Sequence, residues 1–111
     1  MTEILLISLK NCPYSEAAKE MLDHYKIKYK YILVDNITKM EYKTDEINTF
    51  PQIYYLKKDK KHLIGGFDDL KFIIDTINES YGDPKKINKI VKKYKTWNKK
   101  DVLRLVTIFT T

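Results

Sequence analysis

An α/β fold is what this sequence predicts, and three observations predict it. Apolar runs of strand length alternate with segments whose apolar residues recur at helical spacing. The first strand, helix and second strand are joined by short connections, which implies a right-handed crossover and a parallel pair. Further on the pattern changes to two strands around a charged turn, as in an antiparallel hairpin.

Residues 4–9 (Ile4, Leu5, Leu6, Ile7, Ser8, Leu9) are apolar almost throughout, as suits a central strand covered on both faces. Lys10 and Asn11 connect it to a helix over 13–25, whose apolar positions are Ala17, Ala18, Met21, Leu22 and Tyr25. Pro13 suits the first helical position, where its fixed φ is pre-set and its missing N–H would have had no partner. A second strand is expected over 29–34, ended by Asp35. A helix is expected over 38–47, with Thr38 as N-cap and Glu41 three residues on, the spacing of a capping box. A strand over 52–56, a five-residue charged turn over 57–61 and a short strand over 62–64 make the hairpin. Gly65-Gly66 breaks the chain, and Asp68 or Asp69 is placed to cap a helix striped by Leu70, Ile73, Ile74, Ile77 and Tyr81. Gly82-Asp83-Pro84 ends that helix. Beyond it, Ile87, Ile90, Val91, Tyr94 and Trp97 repeat at helical spacing. Val102, Leu105, Val106 and Phe109 share one helical face, although the β-branched residues there also suit a strand.

A chain of 111 residues, 43% of them apolar, has material for one core. Its net charge of +6 is uneven: residues 83–111 hold nine Lys/Arg against two acids, while residues 1–82 hold twelve against thirteen. The expected organisation is therefore a near-neutral body over 1–82 and a basic helical extension over 83–111, packed on the body or appended to it. Basic segments suit nucleic acid or anionic surfaces, but Arg104 is the one arginine among 21 basic residues. Lysine reads base edges less well than arginine, so nucleic acid is not expected as a partner. The six-residue apolar run ahead of Lys10 has no basic flank, so neither a leader nor a membrane span is expected. A single cysteine excludes an internal disulfide framework and a four-thiolate zinc site within the chain, and points to the reducing cytoplasm. His24 and His62 have no acidic partner at useful spacing and read as structural.

That cysteine, Cys12, opens the Cys12-Pro13-Tyr14-Ser15 motif where a strand hands over to a helix. Unpaired N–H groups and the positive end of the helix dipole favour a thiolate there, and the thiolate is the nucleophilic form. The alternative is a small buried hydrophobe. Two further segments stand at comparable junctions: Thr49-Phe50-Pro51 ahead of the third strand, and Gly65-Gly66-Phe67-Asp68-Asp69 ahead of the third helix.

Taken together, in this order and spacing, the three segments resemble the glutaredoxin family of the thioredoxin-like fold, over roughly residues 3–82. The resemblance implies a four-stranded mixed sheet flanked by helices, a cis Phe50–Pro51 bond, and a glutathione-dependent thiol–disulfide oxidoreductase with Cys12 as nucleophile. It implies that Phe50 offers its main chain to the cysteinyl part of glutathione and that Pro51 stays close to the sulfur. Gly66, Phe67 and the helix start there would receive the γ-glutamyl end, with Asp68 or Asp69 facing its ammonium. Thr49 would stand beside Phe50, Tyr14 over the rim of the ligand, and Lys10 would add positive potential near the sulfur. The family's lysine often stands three residues ahead of the cysteine, where this chain has Leu9. Many members carry a second cysteine where Ser15 stands. Without it the monothiol route through glutathione is the one expected, with Ser15 able to donate a hydrogen bond to the thiolate. The implied partners are glutathione and glutathionylated proteins or small disulfides, and the implied state is a monomer or weak dimer. No metal is expected. The alternatives are a [2Fe–2S] cluster held between two protomers by one thiolate and one glutathione from each, and a redox-linked interaction protein acting through the basic tail.

Overall fold

The computed structural model describes residues 3–81 and 83–110. It contains β1 (Ile4–Leu9), α1 (Pro13–His24), β2 (Lys30–Val34), a 3-10 turn (Lys39–Tyr42), β3 (Gln52–Lys57), β4 (Lys60–Gly65), α2 (Phe67–Ser80), α3 (Pro84–Lys93) and α4 (Lys99–Phe109). The strands form one sheet in the order β2-β1-β3-β4. β1 runs parallel to β2, from Leu5 opposite Lys30 to Leu9 opposite Val34. It runs antiparallel to β3, from Ile4 opposite Tyr55 to Ile7 opposite Gln52. This is the mixed sheet with flanking helices of a thioredoxin-like fold.

The two interior strands are the two most continuously apolar ones, because both of their faces are covered. On one face Leu5, Ile7, Val34 and Tyr54 are buried, with Tyr42, Ile47, Phe50 and Leu63 packed around them. On the other, Ile4 and Leu6 of β1 and Ile53 and Tyr55 of β3 are buried, as are Ala18 and Leu22 of α1. Edge strand β2 is mostly exposed, and only Val34 is buried.

The helix expected over 38–47 is not formed; only the 3-10 turn Lys39–Tyr42 appears there. The capping-box reading fails because Asp35 takes the helix-starting groups. Its Oδ1 accepts from the N–H of Ile37 (2.9 Å), the N–H of Thr38 (2.9 Å) and the Thr38 hydroxyl (3.1 Å). The Thr38 hydroxyl in turn accepts from the Asp35 N–H at 3.2 Å, so no side-chain cap remains for a longer helix. Thr44 then closes a separate turn, its hydroxyl accepting from the Ile47 N–H at 3.1 Å and its N–H donating to the Ile47 carbonyl at 2.8 Å.

The charged turn of the hairpin is also shorter than expected. β4 begins at Lys60, leaving Lys58 and Asp59 as the connection, with Lys58 at φ 53°. Lysines can occupy the ends of an edge hairpin because their stems lie along the sheet while their ammonium groups reach water. Lys61 does so over the ring of Tyr54, 4.6 Å from its centroid.

The chain divides into two compact units, Met1–Leu70 and Lys71–Thr111, and α2 runs through the boundary. In the second unit α3 and α4 pack on each other, and Ile90, Tyr94, Val102, Leu105 and Phe109 are buried. Asp83 caps α3 by accepting from the Lys85 N–H at 2.9 Å. Asn98 caps α4 by accepting from the Lys100 N–H at 2.8 Å, which decides between the helix and strand readings of 102–109. Lys85, Lys86, Lys89, Lys92 and Lys93 face solvent. Gly82, expected to help end α2, lies outside the described residues. Among those residues no helix is long and apolar enough to cross a membrane.

Candidate active site at the start of the first helix

Cys12 is the N-cap of α1, with extended backbone (φ −103°, ψ 116°) and Pro13 immediately after it in the first turn. Its carbonyl accepts the first helical hydrogen bond from the Glu16 N–H at 3.0 Å, and its own N–H donates to the Leu9 carbonyl at 3.2 Å. Asn11, at φ 62°, makes the sharp turn between strand and helix; asparagine is among the few residues that adopt this left-handed conformation readily. The thiol is free and half-buried, and its Sγ lies 3.8 Å from the Phe50 carbonyl, a weak S–H···O contact. The Phe50–Pro51 bond is cis and Pro51 is buried. Residues 38 positions apart in sequence thus meet at the sulfur.

Ser15 is buried, and its hydroxyl accepts from the Leu9 N–H at 3.1 Å. The need for that bond follows from the sheet. Lys10 donates its N–H to Val34 on the β2 side, so the preceding Leu9 N–H points to the β3 side. The β3 ladder ends with Gln52 opposite Ile7, short of Leu9. Ser15 fills that gap and ties the first turn of α1 to the end of β1.

Beside the sulfur, past Phe50 and Tyr14, lies a cavity of about 490 Å³. Thr49 and Phe50 line one part of it, and Gly65, Gly66, Phe67, Asp68 and Asp69 another. Tyr14 is 63% exposed, with its ring 6.2 Å from that of Phe67, so the two aromatics stand at the rim. α2 begins at Phe67, one or two residues ahead of the aspartates expected to cap it. The Asp69 carboxylate instead reaches back from the first turn and accepts from the Gly66 N–H at 2.9 Å. The room for it comes from Gly65, which has φ 134° and where a Cβ would lie 2.1 Å from Asp69 Oδ2. A Cβ on Gly66 would stand 3.6 Å from the Pro51 carbonyl, which places this segment against the Phe50-Pro51 turn.

Of the residues singled out from sequence, Tyr14, Thr49, Phe50, Gly66, Phe67, Asp68 and Asp69 therefore line one cavity; Cys12 and Pro51 do not line it but neighbour residues that do, Cys12 through the Phe50 carbonyl and Pro51 through Gly66. Lys10 does not line it. Lys10 lines a separate cleft of about 200 Å³, together with Lys19, Tyr31 and Leu33. Sequence reasoning missed Glu46, Ile47, Leu63 and Ile64, which complete the wall. Glu46 and Ile47 were hidden because their segment reads as helix, whereas the Thr44–Ile47 turn carries them to the cavity. Gln52 stiffens this side: fully buried, it donates from Nε2 to the Tyr42 carbonyl at 2.8 Å, and its Oε1 accepts from the Tyr54 hydroxyl at 3.2 Å. Burial first, and then the Glu46 carboxylate, raise Tyr54 above the ordinary phenol range.

Against known families, the model of the glutaredoxin family matches residues 4–62, a stretch holding both Cys12 and Phe50-Pro51. This chain belongs to the glutaredoxin family. It is similar to Glutaredoxin 1 of Rickettsia typhi, with 39% identity over 72 residues, covering 60% of this chain and 65% of that protein. It is similar to Glutaredoxin 1 of Rickettsia prowazekii at 38% over 72 residues, covering 60% of this chain and 72% of that protein. The match thus spans just under two thirds of the length of the first relative. The family stretch ends at residue 62, ahead of the Gly65-Gly66 segment that leads into α2.

Proposed function

We propose that this protein is a glutathione-dependent thiol–disulfide oxidoreductase that works by a monothiol route through Cys12. The observation that carries the reading is the meeting of the Cys12 sulfur with the Phe50 carbonyl, which itself lines a cavity of about 490 Å³. The Cys12 thiolate attacks the glutathione sulfur of a mixed disulfide. The old S–S bond breaks, the substrate thiolate leaves and takes up a proton, and Cys12 is left bonded to glutathione. A second glutathione attacks that adduct, releases glutathione disulfide and restores Cys12. With one cysteine in the chain, no internal thiol competes for the intermediate.

In this reading the main chain of Phe50 pairs with the cysteinyl part of glutathione in the manner of a short added strand. The N–H groups at the start of α2 take the γ-glutamyl carboxylate, and Asp68, exposed on the rim, faces the ammonium. Tyr14 and Phe67 cover the bound tripeptide. Residues 1–82 carry the activity, residues 83–111 form a basic extension to it, and a reducing cytoplasm suits the chemistry.

The test is intact-protein mass spectrometry after treatment with glutathione disulfide. The expected result is rapid gain of one glutathionyl group on Cys12, and loss of glutathione-coupled reductase activity in Cys12→Ser. Full turnover by Cys12→Ser would rule the route out.

A further inference from the structure

The net charge of the chain lies in one of its two units. Met1–Leu70 holds eleven Lys/Arg and eleven acids, whereas Lys71–Thr111 holds ten against four. Three of those four acids are occupied: Asp75 pairs with Lys71, Asp83 caps α3, and Asp101 is buried in the first turn of α4. Five of the ten residues of α3 are lysines, Lys85, Lys86, Lys89, Lys92 and Lys93, and all five are exposed. At about 100° per residue they fall within roughly 120° of arc. Ile87, Ile90, Val91 and Tyr94 take the other side, where Ile90 and Tyr94 are buried. Lys85, Lys89 and Lys92 meet no carboxylate among the described residues. Lys86 donates from Nζ to the main-chain carbonyl of Glu79 at 3.1 Å, which holds the ammonium without cancelling its charge.

Different polyanions ask for different things of such a face. A protein partner needs an apolar anchor, and a base reader needs arginine or an exposed ring. The lysine arc of α3 has none of these. A bilayer with anionic lipids asks only for fixed positive charge on one side, because its headgroups move laterally to meet it. The residues that an inserting helix would offer to acyl chains, Ile90 and Tyr94, are buried in the fold. We propose that the lysine face of α3 docks the protein on anionic lipid surfaces, by charge alone and without insertion. The contact is peripheral and reversible, and it stands independently of the chemistry at Cys12.

The test is sedimentation of the full chain with phosphatidylcholine vesicles at low ionic strength, with or without roughly one phosphatidylserine in three. Binding is expected only where the anionic lipid is present, and it should weaken steeply as salt screens the exposed charges. Lys85→Gln, Lys89→Gln and Lys92→Gln together should lower partitioning roughly 100-fold, about fivefold for each lysine at the surface. Lys85→Arg, Lys89→Arg and Lys92→Arg together should keep it. Lys26→Gln, Lys28→Gln and Lys30→Gln remove the same charge from exposed lysines of the other unit and should leave partitioning nearly unchanged. Absence of binding to the phosphatidylserine vesicles overturns the proposal, and so does loss of binding in the arginine variant. An equal fall in the Lys26, Lys28 and Lys30 variant also overturns it, because net charge would then be the cause. A short DNA duplex that strips the protein from the vesicles at equal phosphate concentration would assign the face to nucleic acid instead and overturn the lipid reading.

Discussion

Replacing Gly65 by alanine tests how the α2 side of the cavity is built. Two separable effects are expected. The first is backbone strain: Gly65 holds φ 134°, where an L side chain is disfavoured, at a cost of about 1–3 kcal/mol. The second is a collision, since the new Cβ would lie 2.1 Å from Asp69 Oδ2 and 2.7 Å from Asp69 Cβ. An ordinary contact of that kind needs more than 3 Å, so the carboxylate must retreat by roughly 1 Å and give up its 2.9 Å bond from the Gly66 N–H. Losing a helix-start hydrogen bond of this sort costs about 1 kcal/mol. Gly65→Ala should therefore destabilise by about 3 kcal/mol in all. With Asp69→Ala already in place the contact with the carboxylate is gone and the bond already lost, while the 2.7 Å approach to the Cβ of residue 69 is common to both backgrounds, so the same change should cost only about 2 kcal/mol. The gap of about 1 kcal/mol is a coupling energy that a double-mutant cycle measures directly. Urea unfolding of the four proteins, followed by far-ultraviolet circular dichroism, gives the numbers from the midpoints provided the slopes agree. The reasoning is refuted if Gly65→Ala costs under about 0.5 kcal/mol, or if its cost is the same with and without the Asp69 carboxylate.

Ser15→Ala should destabilise by about 1–2 kcal/mol, because it strands the partly buried Leu9 N–H at the end of β1; an unchanged urea midpoint would show that this N–H finds another partner. Asp35 accepts from the Thr38 and Ile37 N–H groups and then the Thr38 hydroxyl, and these hold its carboxyl below the usual value. Its contribution to stability is then present above the unfolded carboxyl value of about 3.9 and is lost as pH falls through its lower folded value. A carbon-detected NMR titration should place its midpoint below 3.8, and a midpoint at or above that value contradicts the assignment. Tyr54 is raised by burial first and by Glu46 second, so its contribution is present below the unfolded phenol value of about 10 and is lost as pH rises through the higher folded value. In a spectrophotometric phenol titration Tyr54→Phe should remove a step that lies above the ordinary phenol range, and Glu46→Gln should move that step to lower pH.

The strands were legible where burial leaves a period or a run. β1 and β3 lie inside the sheet, so nearly every residue is apolar and each reads as a strand without help. α1, α2 and α3 were legible from apolar spacing, and α1 also from Pro13 at its start. The segment over 38–47 misled because a capping box states only what Thr38 and Glu41 are able to do. Asp35, three residues upstream of Thr38, competes for the same N–H groups and wins with three accepted bonds. The ends of β3 and β4 were obscured because lysines pair across the hairpin, Lys57 opposite Lys60, and leave no apolar alternation to read.

At the site, local sequence was enough to set Cys12 at the mouth of a helix, since a strand-length apolar run, a short connection and a proline are nearest-neighbour facts. It was also enough to mark Gly65 and Asp69 as belonging to a chain break and a helix start. The meeting of Cys12 with Phe50, the loss of Lys10 to another cleft and the arrival of Glu46 at the cavity were decided by the fold. So was the capture of the Leu9 N–H by Ser15, which depends on where the β3 ladder stops. The physical reason is common to all of these. Propensity and periodicity act over a few residues, whereas a wall of carboxylates or an orphaned strand N–H exists only once register and turns have brought distant segments within hydrogen-bonding reach.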